Sequence, residues 1–343
     1  MKNIAIHIND SNILVANRSK VLACEPGYAL INGDEIITGL DAYKRRSASP
    51  HLVINSFWDK LSLEKNQVIQ NLGNFSSNAE IAFIQLNNIC KKYLSGEENI
   101  ILIPPTHYNS HQLGLLLGVA NECKIKVLGM VNPALMVNDN LLYEDQLLYL
   151  DIGLNQVFIS SMIDQDLNRE VLESNSLDFL GISNLEKEWS NRIAEIFILK
   201  TRFNPLYSAD SEYELQKSLP NWLEEMNNNN YLNMELSNGS KMLSIEIHRD
   251  QLLNSTSYFY NGISDLINTY ASRSSSKKQF FLSSSLSKIP NMTKLFDNND
   301  DSFVHSLEFG YESFNALRFF EQGMLDFDQN EIKLLNIMAF KSN

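Results

Sequence analysis

Cysteine is scarce in this chain, with 3 in 343 residues. Cys24, Cys90 and Cys123 share no close spacing, which excludes a disulfide framework and a Cys-x-x-Cys zinc site. Each sits in an apolar stretch, as expected of reduced thiols in a cytosolic protein. Cations are also few: 28 Lys and Arg against 41 Asp and Glu leave a formal net charge of −13. DNA or RNA binding needs clustered cations, and the nearest run, Lys44-Arg45-Arg46, is too short to outweigh the acidic balance. The longest apolar run, Leu113 to Ala120, falls far short of a bilayer span. At the N-terminus His7, Asn9 and Asp10 stand where a signal peptide would need an apolar core. No His/Cys/Asp/Glu set has metal spacing, since a helix cap at Ser110 is expected between His107 and His111. No Gly-x-Ser-x-Gly nucleophile elbow occurs either. The expectation is a soluble cytoplasmic protein with no nucleic-acid, membrane or metal partner.

What the chain does have is a duplication. Residues 3–24 read as three short strands, with Ile4, Ile6 and Ile8 on one face of the first and Ala5, His7 and Asn9 on the other. Residues 147–174 repeat the pattern: Leu147 to Gly153, Gln156 to Met162 and Asn168 to Leu172. Helices alternating with single strands follow each meander. A duplicated β-β-β-α-β-α order predicts an α/β fold of two like lobes facing a central cleft, where ligands collect.

The first lobe spans 1–140. Residues 26–75 form an excursion punctuated by Pro26-Gly27, Asn32-Gly33 and Pro50, with a short helix over Phe57 to Leu61. Ser77-Asn78-Ala79-Glu80 reads as a capping box opening an amphipathic helix with Ala79, Ala82, Phe83, Leu86, Ile89, Cys90 and Tyr93 inward. Strands follow at Asn99 to Ile103 and Lys126 to Val131, and helix His111 to Cys123 is apolar enough to predict full burial. Asn138-Asp139-Asn140 reads as a hinge. The second lobe, 141–322, has helix Leu185 to Lys200 and strand Gln279 to Leu282. Its insertion, 201–249, includes an acidic helix Ser211 to Leu219 and a strand Lys241 to His248. Helix Gln251 to Ser272, a serine linker at Ser274–Ser276 and a helical tail within 323–343, over Glu331 to Phe340, complete the reading.

Several phrases, in order, resemble the actin and heat-shock-chaperone (DnaK-type) ATPase superfamily. They are Ile4 to Ala16, Gly39-Leu40-Asp41-Ala42, Val127 to Leu135, Tyr149-Leu150-Asp151-Ile152-Gly153, and Phe281 to Pro290. The resemblance covers almost the whole chain and implies an actin-like ATPase fold, two ribonuclease-H-like lobes that clamp ATP and magnesium.

The departures from that pattern bear on function. The resemblance implies Asp-x-Gly at the first turn, where the carboxylate holds the magnesium shell and glycine lets backbone N–H groups reach phosphate. Here those places hold His7 and Asn9, with Asp10 and Ser11 at the turn. The water-polarising glutamate is matched by Asn132, which cannot act as a base. In the second hairpin Asp151 and Gly153 survive, but Leu154-Asn155-Gln156 replaces Gly-Gly-Thr, and Ser284-Ser285 replaces the adenosine-side Gly-Gly. Asp151 reads equally as a retained ligand contact or a plain turn residue, and His7 as a cleft-lining group. The resulting expectation is a degenerate, chaperone-like or scaffold binding protein with weak or absent ATP hydrolysis. It has no certain cofactor, and any binding of magnesium ATP is weak. The alternative is a slow ATPase or phosphotransferase of the same fold. Too few residues follow Gln322 for a peptide-binding sandwich, so a protein partner is expected on the lobes themselves. Arg202, Phe203, Tyr207 and Trp222 are its candidate surface, against a reading in which Phe203, Leu206, Leu215, Leu219 and Trp222 only pack a subdomain. His7 and Asp151 are expected to face each other, and a protonated imidazole on the carboxylate would latch the lobes.

Overall fold

The computed structural model describes residues 2–272, 276–296, 302–328 and 331–340. Strands β1 (Asn3–His7), β2 (Ile13–Ala16) and β3 (Val21–Glu25) form the expected antiparallel meander. The excursion that follows is structured rather than irregular. β4 (Ala29–Asn32), β5 (Glu35–Thr38) and β6 (Val53–Ile54) make a small separate sheet beside helices α1 (Leu40–Arg45) and α2 (Gln67–Leu72). Phe57 to Leu61 is a series of turns, not a helix, because Phe57 and Trp58 are wholly buried and the tryptophan Nε1 donates to Gln85 at 2.7 Å.

Helix α3 (Asn78–Tyr93) is capped by the Ser77 side chain, but Glu80 reaches back to Ser76 N, one residue earlier than a capping box requires. β7 (Asn99–Ile103), α4 (Ser110–Glu122) and β8 (Lys126–Val131) complete the first lobe. Asn109, not Ser110, caps α4, in a reciprocal box with Gln112. Only Leu116, Val119 and Ala120 of α4 are buried, so the expectation of full burial fails; the helix lies on the outside of the sheet. A 3-10 turn, Pro133–Met136, leads to the second lobe.

There β9 (Gln146–Ile152), β10 (Gln156–Gln165) and β11 (Asn168–Asp178) repeat the meander with longer strands. Helix α5 (Ile182–Thr201) is followed by α6 (Ala209–Met226), which runs through Pro220 instead of stopping at Leu219. The insertion also contains β12 (Tyr231–Asn238), unforeseen from sequence, paired with β13 (Lys241–His248). The single helix expected next is two, α7 (Arg249–Ser255) and α8 (Ser257–Ala271), broken at Thr256. Ser274 and Ser275 of the expected linker lie outside the described residues. β14 (Lys278–Leu282), α9 (Ser284–Ser287), β15 (Ser302–Ser306) and α10 (Tyr311–Glu321) follow.

The expected C-terminal helix is instead two short strands, β16 (Leu334–Leu335) and β17 (Ile337–Ala339). β16 pairs parallel with β8, and β17 pairs antiparallel with β11. One extended segment therefore joins both sheets. The sheet orders are β16-β8-β7-β1-β2-β3 and β15-β14-β9-β10-β11-β17. In each, a three-stranded meander continues through its first strand into two parallel strands.

The lobes also exchange cover. Ile4, Ile6 and Ile8 pack against α3, while Ala5, Ile101 and Ile103 on the other face pack under Ala316, Leu317 and Phe319 of α10, which arrives from the second lobe. In return, Ala134 of the 3-10 turn and Val137 just after it cover Leu147 and Tyr149. Fully burying side chains of this kind contributes roughly 1.5–3 kcal/mol each, so neither sheet is stable bare on that face. The cleft lies where the two first turns meet.

Candidate functional site

His7 and Asp151 do hold equivalent positions. His7 pairs with Leu14 and Asp151 with Phe158, and six residues intervene in each hairpin (8–13 and 152–157). Both are buried, as are Asn9, Asp10 and Ser11. The latch between them is not the expected one. Asn9 Nδ2 donates to Asp151 Oδ2 at 2.7 Å and to the Ile152 carbonyl at 3.1 Å, whereas His7 Nδ1 has no hydrogen-bond partner among the described residues. Burial lowers the His7 pKa against the pull of Asp151, so this imidazole is neutral and makes a poor ionic latch.

The first turn crosses the cleft. Asp10 Oδ1 accepts from Leu154 N at 2.8 Å, and Ser11 Oγ donates to the Ile152 carbonyl at 3.1 Å. Gly153 N is used within its own turn, donating to Gln156 O at 2.8 Å, and Ile152 N donates to Asp151 Oδ1 at 2.8 Å. The backbone amides of 152–154 are thus all committed to protein oxygens. A Cβ on Gly153 would come to 2.5 Å from Asp10 Oδ1, so glycine here serves close approach by a side chain of the other lobe.

Residues not foreseen from sequence complete the cluster. Asp59 Oδ1 lies 3.3 Å from His107 Nε2 and accepts from Gln156 Nε2 across the cleft. The His107 ring stacks on Phe158 with centroids 4.8 Å apart. Glu312, at the start of α10, accepts from the Tyr149 hydroxyl at 3.0 Å. Desolvation pushes the Asp10 carboxyl up to about 7, with Asp59 and Asp151 adding to the rise and the Leu154 N–H opposing it. Burial and the Asp151 charge push Glu312 up to about 7 as well. The clue available in sequence was Pro104-Pro105, which ends β7 and turns Thr106-His107 inward; nothing local marks Asp59 or Glu312.

The space enclosed by these groups is small. A cavity of ≈ 10 Å³, about enough for one water molecule, lies between His7, Asp10, Asp59, His107, Asp151 and Phe158. Among the described residues no lysine or arginine lines it. Further out the cleft is bridged again. Tyr28 Oη and Asn55 Nδ2 meet Ser183 Oγ at 3.2 and 3.1 Å, and Asn155 Nδ2 donates to Asn55 O at 3.2 Å. Glu186 accepts from Tyr43 Oη at 3.1 Å and lies 3.5 Å from Arg46 Nη2.

The remaining sequence candidates fall elsewhere. Asn132 caps the 3-10 turn and donates to the C-terminal strand, from N to Leu335 O and from Nδ2 to Asn336 Oδ1, both 3.0 Å; it does not join the acidic cluster. Ser285 Oγ meets Asn12 Nδ2 at 3.2 Å, and Ser284 begins α9. Trp222 belongs to the second-lobe core and Phe203 packs against it, edge-on to Phe197, while Arg202 and Tyr207 are exposed. Among the described residues no helix is long and apolar enough to cross a membrane. No protein-family model matches the sequence, and no curated protein does.

Proposed function

We propose that this chain is a degenerate member of the actin and DnaK-type ATPase superfamily, acting as a cytoplasmic chaperone-like or scaffold binding protein with weak or absent ATP hydrolysis. The meander-plus-parallel order of each sheet agrees with ribonuclease-H-like lobes. The observation that carries the reading is the Asp10 carboxylate seated on the Leu154 N–H. The groups that would hold a triphosphate are bonded to each other, and the acids beside them repel it. The residues present therefore do not fit magnesium ATP. Closure of the lobes is supplied by Asn9, Asp10, Ser11 and Glu186 instead of by nucleotide.

A second reading, a slow ATPase or phosphotransferase, draws on one feature. A pocket of ≈ 460 Å³ between α5, α6 and α9 has mainly apolar walls, and Trp189 on its lining has a buried Nε1 with no partner among the described residues. Such a pocket suits the base end of a nucleoside while leaving the phosphate end blocked.

Thermal shift separates the two. Millimolar magnesium ATP is expected to leave the melting temperature unchanged. A ligand at a thousand times its dissociation constant would add about 4 kcal/mol, a shift of several degrees. Such a shift, abolished by Asp151→Asn, would overturn the proposal. A shift with adenosine as large as that with ATP would instead show the base pocket alone at work.

A further inference from the structure

Two of the three thiols meet on the outer side of the first-lobe sheet. Cys90 stands in the last turn of α3 and Cys123 at the C-terminal cap of α4, with residues 91–122 between them in the chain. The two helices pack on each other, and both side chains belong to the core beneath them, Cys90 buried and Cys123 half-buried. The two thiols hydrogen-bond each other, and the Cys123 sulfur also lies 3.9 Å from the Phe83 carbonyl oxygen, two turns earlier on α3. Sequence spacing does not announce this pair; the packing of α3 on α4 makes it.

A disulfide requires the sulfurs to close to about 2.05 Å. The end of α4 supplies that movement. Cys123 N makes its helical bond to Val119 O at 3.1 Å, and Lys124 then turns the chain away with a φ of 58°. Side-chain rotation and a small shift of this terminal residue bring the sulfurs together without unwinding the helix.

The two thiols are unequal in a way that suits oxidation. The hydrogen bond from Cys123 lowers the Cys90 pKa, against burial and the Glu98 charge, and the same bond with burial raises that of Cys123. Thiolate is the form that attacks an oxidant, so Cys90 is the nucleophile and Cys123 the resolving partner. Cys24 is the contrast. The residue is exposed and its Sγ donates to Asn12 Oδ1 at 3.2 Å, yet desolvation of the sulfur and the adjacent Glu25 push its pKa up to about 11.

A link here closes a loop that reaches the cleft. Residues 91–122 run along β7, past Pro104-Pro105 to His107 beside Asp59, and back through α4. Joining the two ends restrains the whole outer layer of the lobe.

We propose that Cys90 and Cys123 are a redox modification site, closed to a reversible disulfide by hydrogen peroxide, that braces α4 against α3. In the first step the Cys90 sulfur attacks one peroxide oxygen. An S–O bond forms, the O–O bond breaks, and the departing hydroxide takes the Cys90 proton and leaves as water. In the second, the Cys123 sulfur attacks the Cys90 sulfenic acid. The S–S bond forms, the S–O bond breaks, and the hydroxide leaves as water with the Cys123 proton. Two thiols and one peroxide thus give one disulfide and two waters, and a dithiol reductant returns the two electrons. The site depends on neither the partner-binding nor the nucleotide reading.

The test treats the full, folded chain with hydrogen peroxide, blocks remaining thiols with an alkylating agent and maps the peptides by mass spectrometry. A linked Cys90–Cys123 peptide is expected while Cys24 is still alkylated, and dithiothreitol should remove it. Hydrogen exchange over 110–122 should slow in the oxidised chain. In Cys123→Ser, Cys90 should accumulate as sulfenic acid trapped by dimedone, whereas Cys24→Ser should leave the rate of linkage unchanged. Oxidation of Cys24 while Cys90 and Cys123 are still alkylated, or a link that forms only in urea, would overturn the proposal. So would a Cys123→Ser chain whose Cys90 gives no dimedone adduct. A linked pair with exchange over 110–122 unaltered would refute the bracing.

Discussion

Replacing Arg169 by methionine removes a charge that is fully buried and fully used. Its Nε and Nη2 hold Asp164 at 2.8 and 2.7 Å, and both side chains are completely shielded from solvent. Nη1 and Nη2 also donate to Asn138 O at 3.0 Å and Asn140 O at 2.7 Å, and the guanidinium lies 5.3 Å from the centre of the Phe340 ring. The segment read from sequence as a hinge is therefore strapped to the second lobe. Breaking one side of such a buried pair costs about 3–5 kcal/mol, mostly because Asp164 is left charged without compensation. Two carbonyls losing their donors add roughly 1 kcal/mol each. Asp164 keeps its bond from Leu142 N at 2.7 Å, so Asp164→Asn in the same chain removes the stranded charge without removing that acceptor. The double variant should recover about 2 kcal/mol or more relative to Arg169→Met alone. Urea unfolding gives the magnitudes, and hydrogen exchange over 138–142 and 337–340 locates the loosening. A single-variant cost below about 1 kcal/mol, or additive single and double variants, would refute the argument.

Three further outcomes are expected. Asp10 and Glu312 bind protons in the folded state up to about pH 7 but release them near pH 4 when unfolded, so stability falls as pH rises from about 4 through 7. His7, with its folded pKa lowered, acts oppositely, adding stability as pH rises toward 6.5. The melting temperature should fall from pH 5 to about 7 and level off above it, and Asp10→Asn should flatten that fall; an unchanged slope would contradict the role given to Asp10. Gly153→Ala should break the Asp10–Leu154 contact and destabilise by about 1–3 kcal/mol, with exchange rising on both sides of the cleft; unaltered protection at Leu154 would contradict it. Pro220→Ala restores a helical N–H at an exposed site of α6 and should raise stability by roughly 1–2 kcal/mol in chemical denaturation, a loss being the contrary result.

Much of the fold was legible because it is written locally. The three-four spacing of α3, the alternation of β1 and the repeated meander each follow from one stretch of chain, since a helix pairs its own backbone and alternation exposes one face of a strand. The placement of His7 and Asp151 followed from the duplication, a long-range relation that the sequence happens to display twice. Pro220 was misjudged because apolar contacts of Leu215, Leu219, Trp222 and Met226 outweigh the one hydrogen bond that proline removes.

Local pattern by itself determined helices α3 and α5, the two meanders and the cleft-facing turns. Tertiary structure alone decided the rest. Residues 331–340 carry a short apolar run that fits a helix or a strand equally well, and they become strands because unpaired edges of β8 and β11 wait for them more than 150 residues away in the chain. Asn9 in place of His7 became the latch because its amide donates while the buried imidazole is neutral. Asp59, His107 and Glu312 entered the site because three separate elements converge on the cluster around Asp10 and Asp151. A side chain's partners across a cleft depend on where distant backbone is held, and no periodicity in its own segment records that.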